Sequence, residues 1–254
     1  MVHIKKLKII MISIILAVIA LIPNNVLADG PSYDITNYDM DAYIQEDGTI
    51  HIDESITYYF SSSANGLTRD LRYFYKTNKD SMEPNSARYQ ATGIENITVA
   101  VTNPANITTN FTKASNAEKG DNGVYTVDAV NADRTDGYDI MVYSPISSNN
   151  FQTVHYSYDI TDAVVQYNDM SEIYYNFIGN GIETDVDEFN LDIYLPKSIN
   201  MDDVKYYPHT YATKLEDIQV MLDSASNCIS FNIRNIPSGK PVDARIVFPD
   251  RKSV

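Results

Sequence analysis

Short runs in which apolar and polar residues alternate recur from Tyr38 to Phe248, each closed by a cluster of Gly, Pro, Asn or Asp. A period of two puts successive side chains on opposite faces of a pleated strand, so the pattern restricts the chain to sheets with one buried face. Tyr38, Met40, Ala42 and Ile44 fall on one face of the first run, and Asp39, Asp41 and Gln45 on the other. The EDGT turn at 46–49 then reverses the chain, because Asp-Gly accepts the positive φ angles of a tight hairpin. The returning strand turns Ile50, Ile52, Ile56, Tyr58 and Phe60 inward and His51, Asp53, Ser55 and Thr57 outward. Further strands are expected at 96–101, 124–129, 138–143, 153–160, 189–195, 218–222, 228–233 and 242–248. Pro104, Pro145, Pro196, Pro208 and Pro249 lie just beyond such runs, where a missing N–H does little harm.

The expected architecture is therefore all-β, an antiparallel β-sandwich of Ig-like, Greek-key type, single or two in series. Residues 29–165 form a first β-sandwich region and 166–254 a second β region packing on it, unless both belong to one continuous domain. The polar stretches 76–89 and 109–123 read as loops. Asn168 or Asp169 is placed to cap one short helix near 168–175, with Glu172 in its first turn.

The N-terminus follows a different rule. Lys5, Lys6 and Lys8 precede the apolar run Ile9 to Ile22, and Val26-Leu27-Ala28 supplies a small-residue cleavage pattern, so residues 1–28 read as an export signal. The alternative is an uncleaved tether, although so short a run spans a bilayer poorly. Cleavage removes three of the 19 basic side chains and none of the 34 acidic ones, which leaves a mature net charge of −18. That charge disfavours nucleic acid and anionic membrane surfaces, while permitting cations or basic partners. No second apolar run follows, so no transmembrane helix is expected in the mature chain, which is then exported and extracellular, held at the cell surface or membrane-associated through a partner. Cys228 is the single cysteine, which excludes a disulfide framework. In NCISFNI it shares a face with Ser230 and Asn232, opposite Ile229, Phe231 and Ile233, and is expected half-exposed.

Chemical motifs are few. His51/Asp53/Ser55 and His155/Ser157/Asp159 resemble triads along a line, but residues two apart on a strand lie about 6.6 Å apart along its axis, so neither run assembles a nucleophile and base by itself. No catalytic set and no cofactor are expected. The acids Glu183, Asp185 and Asp187 are a weak calcium alternative, without the Asp-x-Asp-x-Asn-Gly loop signature. GNGIET at 179–184 does not join a strand to a helix, which rejects nucleotide binding. Abundant tyrosines and acids leave a glycan ligand open as the alternative to a protein partner, though no tryptophan is present as a stacking platform.

Three segments taken together carry a family resemblance. YDMDAYIQEDGTIHIDESITYYF (38–60), NGLTRDL (65–71) and YNDMSEIYYNFIGNG (167–181), followed by FNLDIYLP and DARIVFP, resemble in order and spacing the predicted-membrane-protein family called domain of unknown function 2207. Family members usually continue into transmembrane helices, whereas this chain stops after FPDRKSV, and it has Tyr175 where tryptophan is common. The resemblance implies an extracytoplasmic domain without supplying a reaction. Its best-matched residues are Gly66, Arg69, Asp169, Glu172, Asn176 and Gly179. A folded Arg69 needs a carboxylate, and Glu172 or Asp169 is the expected partner, either as a structural clasp tying a 65–71 loop to the short helix or as a ligand-holding one that includes Asn176. The functional expectation is an exported, non-enzymatic binding or scaffolding module at the cell envelope with a protein partner, the alternative being a carbohydrate-binding or carbohydrate-active domain.

Overall fold

The hairpin read from the sequence is present as β1 (Tyr33–Ile44) and β2 (Ile50–Phe60), registered from Tyr33 opposite Phe60 to Ile44 opposite Ile50. The computed structural model describes residues 32–75, 91–131, 135–210, 214 and 217–249. The signal-like segment 1–28 and the polar stretch 76–89 lie outside the described residues.

The chain continues through β3 (Ala64–Tyr75), β4 (Gly93–Thr102), two short strands β5 (Thr108–Asn110) and β6 (Thr112–Lys113), β7 (Val124–Asn131), β8 (Thr135–Ile146) and β9 (Asn150–Thr161). It then forms β10 (Val165–Gln166), β11 (Met170–Ile178), β12 (Val186–Tyr194), β13 (Lys205–Thr210), β14 (Ile218–Asp223), β15 (Cys228–Ile236) and β16 (Val242–Pro249). Seven of the eight runs expected from alternation after the first hairpin fall within these strands, and the eighth, 189–195, ends one residue beyond β12. A 3-10 turn at Met201–Asp203, capped by the Asn200 side chain, is the one helical element among the described residues.

Three sheets result. The largest is ordered β14-β15-β12-β1-β2-β9-β4-β5, and two four-stranded sheets are ordered β10-β11-β16-β13 and β3-β8-β7-β6. One hydrophobic cluster draws on all three: Tyr38, Ile52, Phe189 and Phe231 from the large sheet, Leu71 and Ile140 from one small sheet, Phe177 and Ile246 from the other. Each such side chain contributes about 1.5–3 kcal/mol when fully buried, and this non-directional term drives the sandwich together. The period-two rule holds on β1 and β2, where the residues expected inward are buried. From Tyr33 onward the chain forms one compact unit.

Three local expectations are corrected. Residues 168–175 do not form a helix: Met170–Ile178 is a strand paired on one side with β10 and on the other with β16. Its β-branched and aromatic residues satisfy their backbone groups in two ladders, which outweighs the capping signal of Asn168 and Asp169. Residues 65–71 are not a loop but the start of β3, whose alternation is disguised because Arg69 occupies an inward position between Leu67 and Leu71. Third, β1 pairs in parallel with β12, Tyr38 opposite Phe189 and Ala42 opposite Ile193, so the large sheet joins the first strand to the C-terminal half of the chain.

Candidate functional site

Arg69 reaches inward from β3 and meets Glu54 of β2. Its Nε donates to Glu54 Oε1 at 2.9 Å and its Nη2 to Glu54 Oε2 at 3.0 Å, while Tyr38 Oη donates to Glu54 Oε2 at 2.6 Å and accepts from Arg69 Nη2 at 2.8 Å. Nη1 is satisfied by the Asp70 carbonyl at 2.7 Å. Glu54 is 1% and Arg69 5% exposed. Burial works against the charge of the guanidinium, but the Glu54 carboxylate prevails and holds the Arg69 pKa well above its ordinary value. The site is a charge-neutral clasp closed to solvent.

This corrects the expected partner of Arg69. Glu172 is bonded instead by Arg245 Nε from the neighbouring β16, and Asp169 is exposed in the bend before β11. The segments 65–71 and 169–181 are nevertheless tied: Tyr175 Oη donates to the Arg72 carbonyl at 3.1 Å, and the Asp70 carboxylate lies against Gly181, where an added Cβ would stand 2.5 Å from it. Asn176 sits at a β-bulge, where its side-chain amide meets the carbonyls of Val242 and Ile178 and is satisfied when its nitrogen is assigned to that side, so it serves the backbone rather than a ligand. Glu54 was the missed member. Its signal in the sequence is an acid at an inward position between Ile52 and Ile56, which demands a buried cation.

Glu183, Asp185 and Asp187 are all exposed, and Asp185 accepts from the Ser238 backbone N–H at 2.7 Å. Among the described residues no three acids, histidines or cysteines converge as a ligand set. Cys228 is 4% exposed rather than half-exposed. Its face was read correctly, but Tyr194 is directly opposite on β12 and covers that face, and the resulting burial raises the thiol pKa.

The two linear runs set aside in the sequence meet across strands. β2 and β9 pair antiparallel with His51 opposite Asp159, Asp53 opposite Ser157, and Ser55 opposite His155. His51 Nδ1 lies 2.7 Å from Asp159 Oδ1, whose second oxygen accepts from Asn96 Nδ2 at 2.6 Å. Burial would raise the Asp159 pKa, but the bonds from Asn96 and His51 outweigh it and the net shift is downward. Ser55 Oγ lies 2.7 Å from His155 Nδ1, and Thr102 Oγ1 2.8 Å from His155 Nε2. Partial burial lowers the His155 pKa, so the ring is neutral at pH 7, with one nitrogen donating and the other accepting along a hydroxyl–imidazole–hydroxyl chain. A nucleophile–base contact exists here, but the base is oriented by a threonine hydroxyl rather than a carboxylate. Ser55 also sits mid-strand, paired on both sides by β1 and β9.

Beside this ladder a cleft of about 520 Å³ opens over β2, β9 and β4, lined by Asp53, Ser55, Thr98, Asn110, Phe111 and His155 among others. The β5–β6 segment forms its wall, fixed where Phe111 N donates to Val99 O at 2.8 Å and Thr112 N to Gly123 O at 3.0 Å.

A family model described as the N-terminal domain of a predicted membrane protein (DUF2207) matches residues 34–248. The chain belongs to this family. Among curated proteins nothing matches this DUF2207 domain. Solved structures similar to it include a putative nutrient binding protein from Legionella pneumophila (8% identity, 85% of this chain, 67% of that chain, TM-score 0.49). Others are a putative protease from Parabacteroides distasonis (11%, 84% and 40%, TM-score 0.45) and an M1 zinc metallopeptidase from Deinococcus radiodurans (9%, 85% and 42%, TM-score 0.40). The DUF2207 domain thus spans about two fifths of the two peptidase-type chains, and at these scores the likeness carries no functional argument. Among the described residues no helix is long and apolar enough to cross a membrane.

Proposed function

We propose that this DUF2207 domain is a non-enzymatic binding module displayed outside the cytoplasmic membrane. One observation carries the reading: the buried glutamates are held in arginine ion pairs and His155 is oriented by hydroxyls alone, whereas the cleft on the large sheet presents hydrogen-bonding groups on a rigid floor. Glu54 and Glu172, both buried, are each tied to an arginine. The other acids are set along strand faces, with Asp192, Asp41 and Asp53 side by side across β12, β1 and β2, where burial and the neighbouring carboxylates raise the Asp41 pKa. Export rests on the basic head, apolar run and small-residue pattern of residues 1–28, together with the membrane-protein character of the family.

Affinity capture from envelope extracts tests the reading, with the exported domain as bait. Retention of one stoichiometric protein or of a defined glycan is the expected result. Turnover of ester, peptide or glycoside substrates that is abolished by Ser55→Ala and by His155→Ala would overturn it. Recovery of the chain in the cytoplasmic fraction with residues 1–28 retained would overturn the location.

A further inference from the structure

The cleft beside the Ser55–His155 contact has a floor built from two adjacent rungs of the large sheet. One rung runs Asp53, Ser157, Thr98 across β2, β9 and β4, and the next runs Ser55, His155, Ala100, Asn110 as far as β5. Neighbours along a rung stand about 4.5–5.5 Å apart, and the two rungs are about 6.6 Å apart along the strands. The side chains therefore form a fixed grid of polar groups. Ala100, the smallest member, leaves a gap in the floor between His155 and Asn110.

The occupants of this grid divide into two sets. Ser55, His155 and Thr102 satisfy one another. Thr98, Ser157 and Asn110 line the cleft or its rungs without a side-chain hydrogen-bond partner among the described residues, and Asp53 has only a 3.4 Å approach from His51 Nε2. The serine and threonine hydroxyls and the asparagine amide each donate and accept, while the aspartate only accepts. A ligand that matches this set carries several groups that also donate and accept, which describes a polyol rather than an anion, a metal ion or a purely apolar molecule. An anion would meet Asp53 and a chain of net charge −15. A metal ion would meet Asp53 with Asp41 opposite it on β1, but among the described residues no three acids, histidines or cysteines converge as a ligand set for a hard cation. Phe111 adds an apolar surface at the wall, against which the C–H face of a sugar ring can lie. The volume falls within the range of small-ligand sites and accommodates one or two sugar rings.

We infer that this cleft is a saccharide-binding subsite for a neutral sugar, with Asp53, Ser157, Thr98 and Asn110 reading the hydroxyls and Phe111 carrying the ring. The inference rests on the binding-module reading and adds its ligand class and location.

Saturation-transfer NMR on the full chain with maltose, cellobiose and N-acetylchitobiose tests it. Transfer to the ring protons of at least one disaccharide is expected, with affinity reduced at least tenfold in Asp53→Asn and in the Ser157→Ala/Thr98→Val double variant. Met221→Ser on β14, away from the cleft, should bind as the parent does. The cleft variants alter half-exposed or exposed side chains, so an unchanged thermal midpoint and circular dichroism spectrum separate lost contacts from lost fold. Sugar binding that persists in both cleft variants overturns the assignment of the site. Failure of all three disaccharides, with an envelope protein still captured, overturns the saccharide and leaves the binding module standing. Failure of both overturns the two together.

Discussion

Arg69 and Glu54 face each other across the interior as a two-pronged ion pair, Nε to Oε1 at 2.9 Å and Nη2 to Oε2 at 3.0 Å, with Tyr38 Oη 2.6 Å from the same carboxylate. The pair links β3 of a small sheet to β2 of the large one, so it fixes how two layers sit on each other. Stability is a separate matter, because the desolvation of two buried charges roughly offsets their attraction. What such a clasp secures is that neither layer can slide without stranding a charge.

Removing one partner is therefore expected to cost more than removing both. Glu54→Gln and Arg69→Met should each destabilise the domain by about 3–5 kcal/mol, and the Glu54→Leu/Arg69→Met double variant should recover much of that loss. Urea denaturation of the three variants measures it. Single losses below about 1 kcal/mol, or a double variant as damaged as the sum of the singles, would contradict a paired buried charge.

Two glycines mark places where backbones touch. A Cβ on Gly66 would stand 2.0 Å from the Val142 carbonyl oxygen and one on Gly137 2.1 Å from that of Leu71, both across the β3–β8 ladder. Because backbone rather than a flexible side chain is in the way, Gly66→Ala and Gly137→Ala should each cost at least about 1–3 kcal/mol. Gly93→Ala, which meets only Thr161 Oγ1 at 3.3 Å, should cost distinctly less in the same thermal melts.

Acid should weaken the domain through His155. Burial lowers its pKa in the folded state, so between that value and the unfolded value of about 6.5 the unfolded chain binds more protons. The contribution is complete above about pH 6.5 and is lost as pH falls toward the folded pKa. Thermal midpoints from pH 8 to pH 5 should fall less steeply in His155→Gln than in the parent. Asp159, also depressed, acts in a separate window below about pH 3.9. Parallel curves for parent and variant above pH 5 would remove His155 as the source.

The Cys228 thiol should be nearly silent in the native protein. At 4% exposure, with its pKa raised by burial, it should react with an aromatic disulfide reagent at least tenfold more slowly than in the urea-unfolded chain. Tyr194→Ala, which uncovers that face, should accelerate the native reaction. Native labelling at the unfolded rate would show that Tyr194 does not shield it.

An outer strand with an apolar surface predicts self-association. β14 closes one edge of the large sheet and carries Val220, Met221 and Leu222 at 38, 64 and 37% exposure. Val220→Lys should lower the sedimentation-derived association constant and leave the unfolding free energy within about 0.5 kcal/mol of the parent. A parent that stays monomeric at millimolar concentration would refute it.

The alternating pattern by itself determined which apolar side chains of β1 and β2 are inward, because the two-residue period is a property of the local backbone. It also located the first hairpin through Asp47-Gly48, a turn whose chemistry is complete within four residues. It misjudged Met170–Ile178, where the cap signal was local and the deciding interaction, two flanking ladders, was not. Partner choice was equally beyond local reading. That Arg69 meets Glu54 rather than Glu172, that Ser55 meets His155 and His51 meets Asp159, and that β1 runs parallel to β12 all depend on register between strands as much as 150 residues apart. Register follows from the summed burial of whole faces against each other. No single segment contains that sum, so only the assembled sandwich could decide which polar groups would face one another over the cleft.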